Sequence, residues 1–277
     1  MADPWPKRAP RRVNTSSPNA SRVYDFMLGG KDNYEADRRT ALRALEIAPD
    51  APEAARANRE FLGRVIRFLA AEAGLRQFLD LGAGLPAQEN VHEIAQSAAP
   101  GSRVVYVDHD PIVLVHARAL LAVNARTTVV EADVRDPDAV LDDPETRRLI
   151  DFGEPVGLLM FGVLHHLGDH ENPAGVATHL MARLPPGSHL AVSHFHNPGM
   201  DHPEASAQAY SAEKLFHETL GTGRWRTREE ILACFDGLEL LEPGLVPLPE
   251  WRPHPDDGAR PGVAHHTLLG GVARKPR

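Results

Sequence analysis

The segment Phe78-Leu-Asp-Leu-Gly-Ala-Gly-Leu-Pro-Ala87 carries the densest chemical information in the 277-residue chain. A strand that ends in Gly82-x-Gly84 and runs straight into a helix lets the backbone approach a ligand closely, with helix N–H groups facing it. The charge around this turn narrows the ligand. Asp80 stands directly before the glycines. A carboxylate there repels the pyrophosphate of a dinucleotide and attracts a ligand carrying an ammonium and a sulfonium. One βα unit further on, Asp108 closes the run Val-Tyr-Val-Asp and is placed to accept both hydroxyls of a ribose. After the next strand, Asp133 can accept from an adenine amino group. Asp110 and Asp136 precede prolines and read as helix caps instead.

Beyond the carboxylates, His165-His166 follows a continuous apolar run, where either ring could take a proton near neutral pH or simply turn strand into helix. His194 and His196 alternate along a later strand, so they share a face and either line an acceptor pocket or sit satisfied in the core. The loop Gly29-Gly-Lys31-Asp-Asn33-Tyr34 is either an ordinary connection between two helices or a flap over a ligand, which would make Tyr24, Lys31, Asn33 and Tyr34 candidate pocket residues. Glu250-Trp251-Arg252 either forms another wall or packs as a rigid loop. Fifteen histidines invite a metal reading, but adjacent histidines on a strand point to opposite faces, and there is no Cys cluster or His-Glu-x-x-His helix. No metal is expected.

These residues need a scaffold that brings strand ends together. From Gly74 onward, short apolar runs alternate with helical segments: Phe78–Asp80, Arg103–Val107, Thr127–Ala132, Val156–Val163 and Ser188–Phe195 read as strands, with Ala87–Ala98 as the helix after the glycine turn. Strand and helix alternating in this way imply a parallel sheet with helices on both faces. Thr227-Arg-Glu-Glu230 is a capping box opening a helix to Phe235, and strands near Leu238–Leu241 and His266–Val272 complete seven. Before the sheet, residues 20–48 offer two short helical stretches, and Glu53–Ala73 a longer one with Ala57, Phe61, Val65 and Leu69 on one face. The expected division is a basic tail over 1–18, a helical cap over 19–74 and an α/β domain over 75–277.

Composition bounds the setting. A 42% hydrophobic fraction fills a core and excludes disorder along the whole chain. The single Cys234 excludes an internal disulfide and suggests a reducing, cytoplasmic location. The longest apolar run falls far short of the roughly 20 residues of a membrane span, and the first residues lack an apolar signal core. A net charge of −8 argues against nucleic acid as a partner, Lys7, Arg8, Arg11 and Arg12 of the tail excepted. Nothing in the sequence speaks to oligomeric state.

The series Asp80-x-Gly82-x-Gly84, Asp108, Asp133 and the fourth-strand run into His165-His166 resembles the class I S-adenosylmethionine-dependent methyltransferases. More narrowly, Arg22-Val-Tyr-Asp-Phe-Met-Leu-Gly-Gly-Lys-Asp-Asn-Tyr34, Asp108-His-Asp-Pro111 and Glu242-Pro-Gly-Leu-Val-Pro-Leu-Pro-Glu-Trp-Arg-Pro253 are similar to an actinobacterial S-adenosyl methyltransferase family once classed as a domain of unknown function. The resemblance implies a Rossmann-like, doubly wound seven-stranded sheet of order 3-2-1-4-5-7-6, last strand antiparallel, with an N-terminal helical extension. It implies S-adenosyl-L-methionine as cofactor, held by Asp80, Gly82, Ala83, Gly84, Asp108, His109, Asp133, Val134 and Phe161, with His166 and His165 facing a small-molecule acceptor. Pro86, where many relatives carry a third glycine, stiffens the turn and removes a donor. Two rivals stand beside this reading. Gly82-x-Gly84-x-x-Ala87 also fits an NAD-dependent oxidoreductase, and the pocket could serve a non-catalytic S-adenosylmethionine-binding regulator.

Overall fold

Local cap chemistry and apolar runs account for most of the elements in the computed structural model, which describes residues 14–86, 89–121, 125–253 and 262–277. The chain opens with three helices, α1 (Ala20–Met27), α2 (Glu35–Ile47) and α3 (Ala51–Arg67). Pro52 lies in the first turn of α3, where its missing N–H costs nothing. The expected helix to Ala73 continues past Arg67 as a π-helical turn, Phe68–Glu72, before Gly74 ends it in the left-handed region.

The five expected parallel strands follow: β1 (Gln77–Leu81), β2 (Arg103–Asp108), β3 (Thr127–Glu131), β4 (Gly157–Phe161) and β5 (His189–Phe195). Between them lie α4 (Val91–Ala98), α5 (Pro111–Leu121), α6 (Pro137–Asp142), α7 (Pro144–Leu149) and α8 (Pro173–Arg183). Asp110, Asp136 and Asn172 each accept a backbone N–H of the first helical turn before a proline start, as their spacing predicts. After α9 (Pro203–Leu220) and α10 (Arg228–Leu232) come β6 (Glu239–Leu240), β7 (Val246–Pro247) and β8 (Leu268–Arg274).

The sheet order is β3-β2-β1-β4-β5-β8-β6, with β7 also paired to β8. The final strand is antiparallel to β5 and inserted beside it, as expected. The count is corrected from seven strands to eight, because the two-residue β7 intervenes and renumbers the last one. Its Pro247 cannot donate to a ladder, which suits a short, peripheral strand.

Side chains alternate between two cores. From β1, Leu79 and Leu81 join the cluster containing Val105, Val107 and Leu180, while Phe78 joins the cluster containing Val104, Tyr106, Leu159 and Phe61 of α3. Period-two alternation therefore turns Asp80 and Asp108 toward the α3–α4 side. Trp251 is fully buried on this side, edge-on to Phe61 at 5.5 Å and Phe68 at 5.9 Å. Of the two readings for this segment, packing holds for Trp251 and the ligand wall does not: the ring anchors α3, each such pair contributing about 0.5–1.5 kcal/mol beyond burial.

Sequence patterning missed α9. Its buried stripe is Ala205, Ser206, Ala209, Ala212 and Leu215, small residues that leave almost no periodic signal. Leu215 packs with Val23 and Met27 of α1 and Ala41 and Ala44 of α2, so a late helix completes the N-terminal helical layer.

Candidate functional site

Strand order reverses between β1 and β4, and the crevice outside the carboxyl ends of such strands is where open α/β sheets hold ligands. The glycine turn lies there. Gly82 has φ +68°, and a Cβ on it would meet Val163 Cγ2 at 2.6 Å, so no other residue fits. Gly82 N and Ala83 N donate to Val107 O at 2.9 and 3.2 Å. Gly84 (φ +66°) donates its N–H to Asp108 Oδ2 at 3.0 Å, and a Cβ there would meet nothing within 4 Å. The turn does not run straight into a helix, as the sequence suggested. Helix α4 begins only at Val91, behind the cap residue Asn90. Ala87 lies outside the described residues.

Asp80 is 6% exposed. Among the described residues no hydrogen bond reaches its carboxylate, and burial pushes it up to about 7, with Arg59 of α3 opposing and Asp108 reinforcing the rise. A cation beside Asp80 would stabilise the ionised form. Asp108, equally buried, accepts from Gly84 N and, at 2.9 Å, from Asp110 N; burial raises its pKa while these two donors oppose the rise. His109 is exposed, its Nδ1 3.8 Å from Asp108 Oδ1.

Asp133 follows β3, but its carboxylate is held bidentately by Arg135, with Nε 2.9 Å from Oδ1 and Nη2 2.5 Å from Oδ2. Arg135 also reaches Glu171 at 2.9 Å, and its hydrogen bonds hold Asp133 below the usual carboxylate range. Val134 is buried in the core behind. Phe161 ends β4 against Phe61, ring centroids 5.5 Å apart.

The two histidines after β4 lie in a 3₁₀ turn and differ. His165 is fully enclosed: its Nδ1 accepts from Phe195 N at 3.4 Å and its ring stacks on Phe195 at 3.5 Å, so it is committed to the protein. His166 has a buried Nδ1 with no partner, and burial pushes its pKa down to about 4, helped by His109 across the crevice. It is neutral at pH 7. Arg226, which sequence reasoning did not single out, anchors this turn: Nη2 donates to Leu167 O and Asp169 at 2.8 and 2.9 Å, and Nη1 to Leu164 O and His194 Nε2 at 3.3 and 3.1 Å. His194 is thus a satisfied core residue, pushed down to about 3 by burial. His196 is held through Nδ1 by His266 O at 2.8 Å.

The Gly29–Tyr34 loop is built on Asp25, whose Oδ2 accepts from Asp32 N and Asn33 Nδ2 at 2.9 and 2.8 Å. Asn33 is therefore a loop brace. Tyr24 donates to Ala55 O at 3.0 Å and accepts from Asn58 at 3.1 Å, and Asn58 accepts from Ser193 of β5 at 2.7 Å. Lys31 and Tyr34 are exposed, the Tyr34 ring 5.3 Å from the Arg22 guanidinium. Asn19 donates to Asp110 at 2.5 Å and Asp32 lies 3.8 Å from His116, which docks the segment over the β2 end. Among the described residues no group of three or more His, Cys, Asp or Glu is disposed to hold a metal.

A doubly wound sheet whose crevice combines a glycine turn with two neighbouring buried carboxylates fits a class: α/β proteins that hold a nucleoside-bearing cofactor at their strand ends. Residues 6–276 match the family described as S-adenosyl methyltransferase, and the chain belongs to it. It is similar to the crystal structure of a DUF574 family protein from Streptomyces avermitilis, at 40% identity and TM-score 0.90 over 96% of this chain and 100% of that one. A candidate methyltransferase from Thermobifida fusca is 44% identical, TM-score 0.89, over 95% and 97%. The N-methyltransferase NodS from Bradyrhizobium japonicum, in complex with S-adenosyl-L-homocysteine, shares the fold at 14% identity and TM-score 0.50, over 92% and 100%. A search of curated proteins finds no match. By its family the protein is a methyltransferase with S-adenosylmethionine as cofactor, which decides against the dinucleotide reading. No helix among the described residues is long and apolar enough to cross a membrane.

Proposed function

We propose that the enzyme methylates a small molecule in the space beyond β4, with the cofactor's ammonium at Asp80. The buried, undonated Asp80 carboxylate carries this reading, because its ionised form gains most from a cation. The turn Gly82-Ala83-Gly84 would lie under the amino-acid moiety and Arg59 would answer its carboxylate. Asp108 has lone pairs left for the ribose hydroxyls after its two backbone bonds. His109, Val134 and Phe161 would bound the rest, and an adenine amino group at Asp133 would share that carboxylate with Arg135.

When bound, the cofactor supplies an electrophilic methyl group on a sulfonium. The chain's part is to align the acceptor and exclude water. His166, neutral and half-buried, would accept a hydrogen bond from the acceptor's hydroxyl or amine through Nε2, its Nδ1 being enclosed, and so aim the acceptor's lone pair; a group at about 4 is a weak base, so orientation is its main contribution. His165 acts behind it as a positioning residue. Lys31 and Tyr34, at the rim, contact the acceptor, while Tyr24 and Asn33 hold the rim in place. Residues 19–74 serve as a cap on the 75–277 domain, with α3 rooted in the sheet. A net charge of −8 supports a small acceptor over nucleic acid. Cys234, buried with its thiol pushed up to about 11, supports a reducing, cytoplasmic setting. The Streptomyces and Thermobifida relatives support an actinobacterial source.

Titration calorimetry with S-adenosylhomocysteine tests the cofactor site. Asp108→Ala should weaken binding at least thirtyfold, about 2 kcal/mol. Unchanged affinity would mean that the ribose sits elsewhere.

A further inference from the structure

The opposite edge of the sheet carries a second cleft, of about 850 Å³, within the usual range for small-molecule sites. It opens at the amino ends of β1, β2 and β5, beside the π-helical turn after α3. Gln77 to Leu81 spans about 13 Å at strand rise, so the glycine turn and this cleft lie at opposite ends of β1.

Four guanidiniums line the cleft, those of Arg76, Arg103, Arg252 and Arg274, against two carboxylates, Glu72 and Glu154. Arg274 is neutralised by Glu239 at 2.7 Å, and Arg252 lies 3.6 Å from Glu72 with its plane over Phe68 at 4.0 Å. Arg76 and Arg103 have no ion-pair partner among the described residues. Both are nevertheless held in place. Arg76 Nη1 donates to Ala70 O and Leu75 O, each at 2.8 Å. Arg103 Nη2 donates to Gln77 Oε1 at 3.0 Å, and Gln77, 1% exposed, is itself fixed by Asp151 O at 2.7 Å and Glu154 O at 2.9 Å. Arg103 N donates to Arg76 O at 2.8 Å, so the two side chains spring from adjoining points of the sheet. Each keeps its Nε and one Nη unbonded. His189, also on the lining and 5% exposed, has an Nδ1 without a partner.

Two like-charged forks, Arg76 exposed and Arg103 half-buried, are braced by backbone and a buried amide and ion-pair with neither lining carboxylate, so their remaining N–H groups are preset to receive an anion. We propose that this cleft binds a phosphate-bearing small molecule, its phosphate between Arg76 and Arg103 and its organic body against Phe68 and Leu241. A phosphate suits the planar forks better than a single carboxylate does, because it offers oxygens to both at once. The proposal stands apart from the methyl-transfer reading, since none of these residues touches the glycine crevice.

Calorimetric titration of the full chain with inorganic pyrophosphate tests it, with and without S-adenosylhomocysteine. Saturable binding in the submillimolar range is expected in both conditions. Arg103→Ala should weaken it at least tenfold, and Arg103→Lys less, because the charge survives without the fork. Arg252→Gln, at the exposed rim, should also weaken it severalfold, with a urea midpoint showing that the variant is folded. Arg118→Ala on α5 should leave it unchanged. Absence of saturable heat would overturn the proposal, as would an equal loss from Arg118→Ala, which would show diffuse charge attraction. Binding lost only when S-adenosylhomocysteine is present would place the anion in the cofactor crevice and overturn it equally.

Discussion

Replacing Asp80 by Asn separates what this residue does for ligand binding from what it costs the fold. Burial raises its pKa from 3.8 to about 7. Roughly three units at about 1.36 kcal/mol each amount to about 4 kcal/mol. The sign follows from which state holds the proton. Below about pH 4 native and unfolded chains are both protonated here, and the residue carries no penalty. Between pH 4 and 7 the unfolded chain releases its proton while the native one keeps it, so stability drains away as pH rises, and above 7 the whole penalty is present. Asn never ionises. The stability gained by Asp80→Asn should therefore grow from near zero at pH 4 to a ceiling of about 4 kcal/mol at pH 8, while affinity for S-adenosylhomocysteine falls by one to two orders of magnitude because the ammonium loses its counter-charge. Urea denaturation of both proteins at pH 4.5, 6 and 8, with calorimetry at pH 8, measures the two effects. A stability difference that does not change with pH, or an unaltered affinity, would refute the electrostatic reasoning.

Three further outcomes are expected. Gly82→Ala should destabilise by about 2 kcal/mol or more, read from the urea midpoint, because a left-handed φ and a 2.6 Å approach to Val163 act together. Arg226→Ala should cost about 2–4 kcal/mol in the same assay, since it leaves Leu167 O and His194 Nε2 without their buried donor. Acid should unfold the protein through its buried neutral histidines: the unfolded chain binds protons below about 6.5, whereas native His166 resists to about 4, so stability falls as pH drops through that window, by about 3 kcal/mol for this residue. His166→Gln should flatten that slope.

Much of the scaffold was legible because its signals are local. Asp110-Pro111, Asp136-Pro137 and Asn172-Pro173 start helices through bonds that reach only two or three residues ahead. The apolar run ending at Phe161 is a strand because it is buried on both faces. The start of α4 and the existence of α9 were not legible. Glu89, at φ +56°, and the extended cap residue Asn90 hold the chain out of helix before Val91, and α9 buries small residues suited to close helix packing.

For the site, residue types and spacing placed Asp80, Asp108 and the glycine turn at neighbouring strand ends, since strand period and βα length decide that. The partners of each group followed from no such rule. Arg59 beside Asp80, Arg135 across Asp133, Arg226 under the His165–His166 turn and Asn58 bridging Tyr24 to Ser193 are all brought together from distant parts of the chain. Sequence alone determined which chemical groups the crevice holds. Tertiary structure decided their protonation and availability: it left Asp80 without a donor, stacked His165 into the core and kept His166 Nδ1 unpaired. The physical reason is that desolvation and hydrogen-bond satisfaction are properties of the folded neighbourhood, assembled from residues that no local pattern connects.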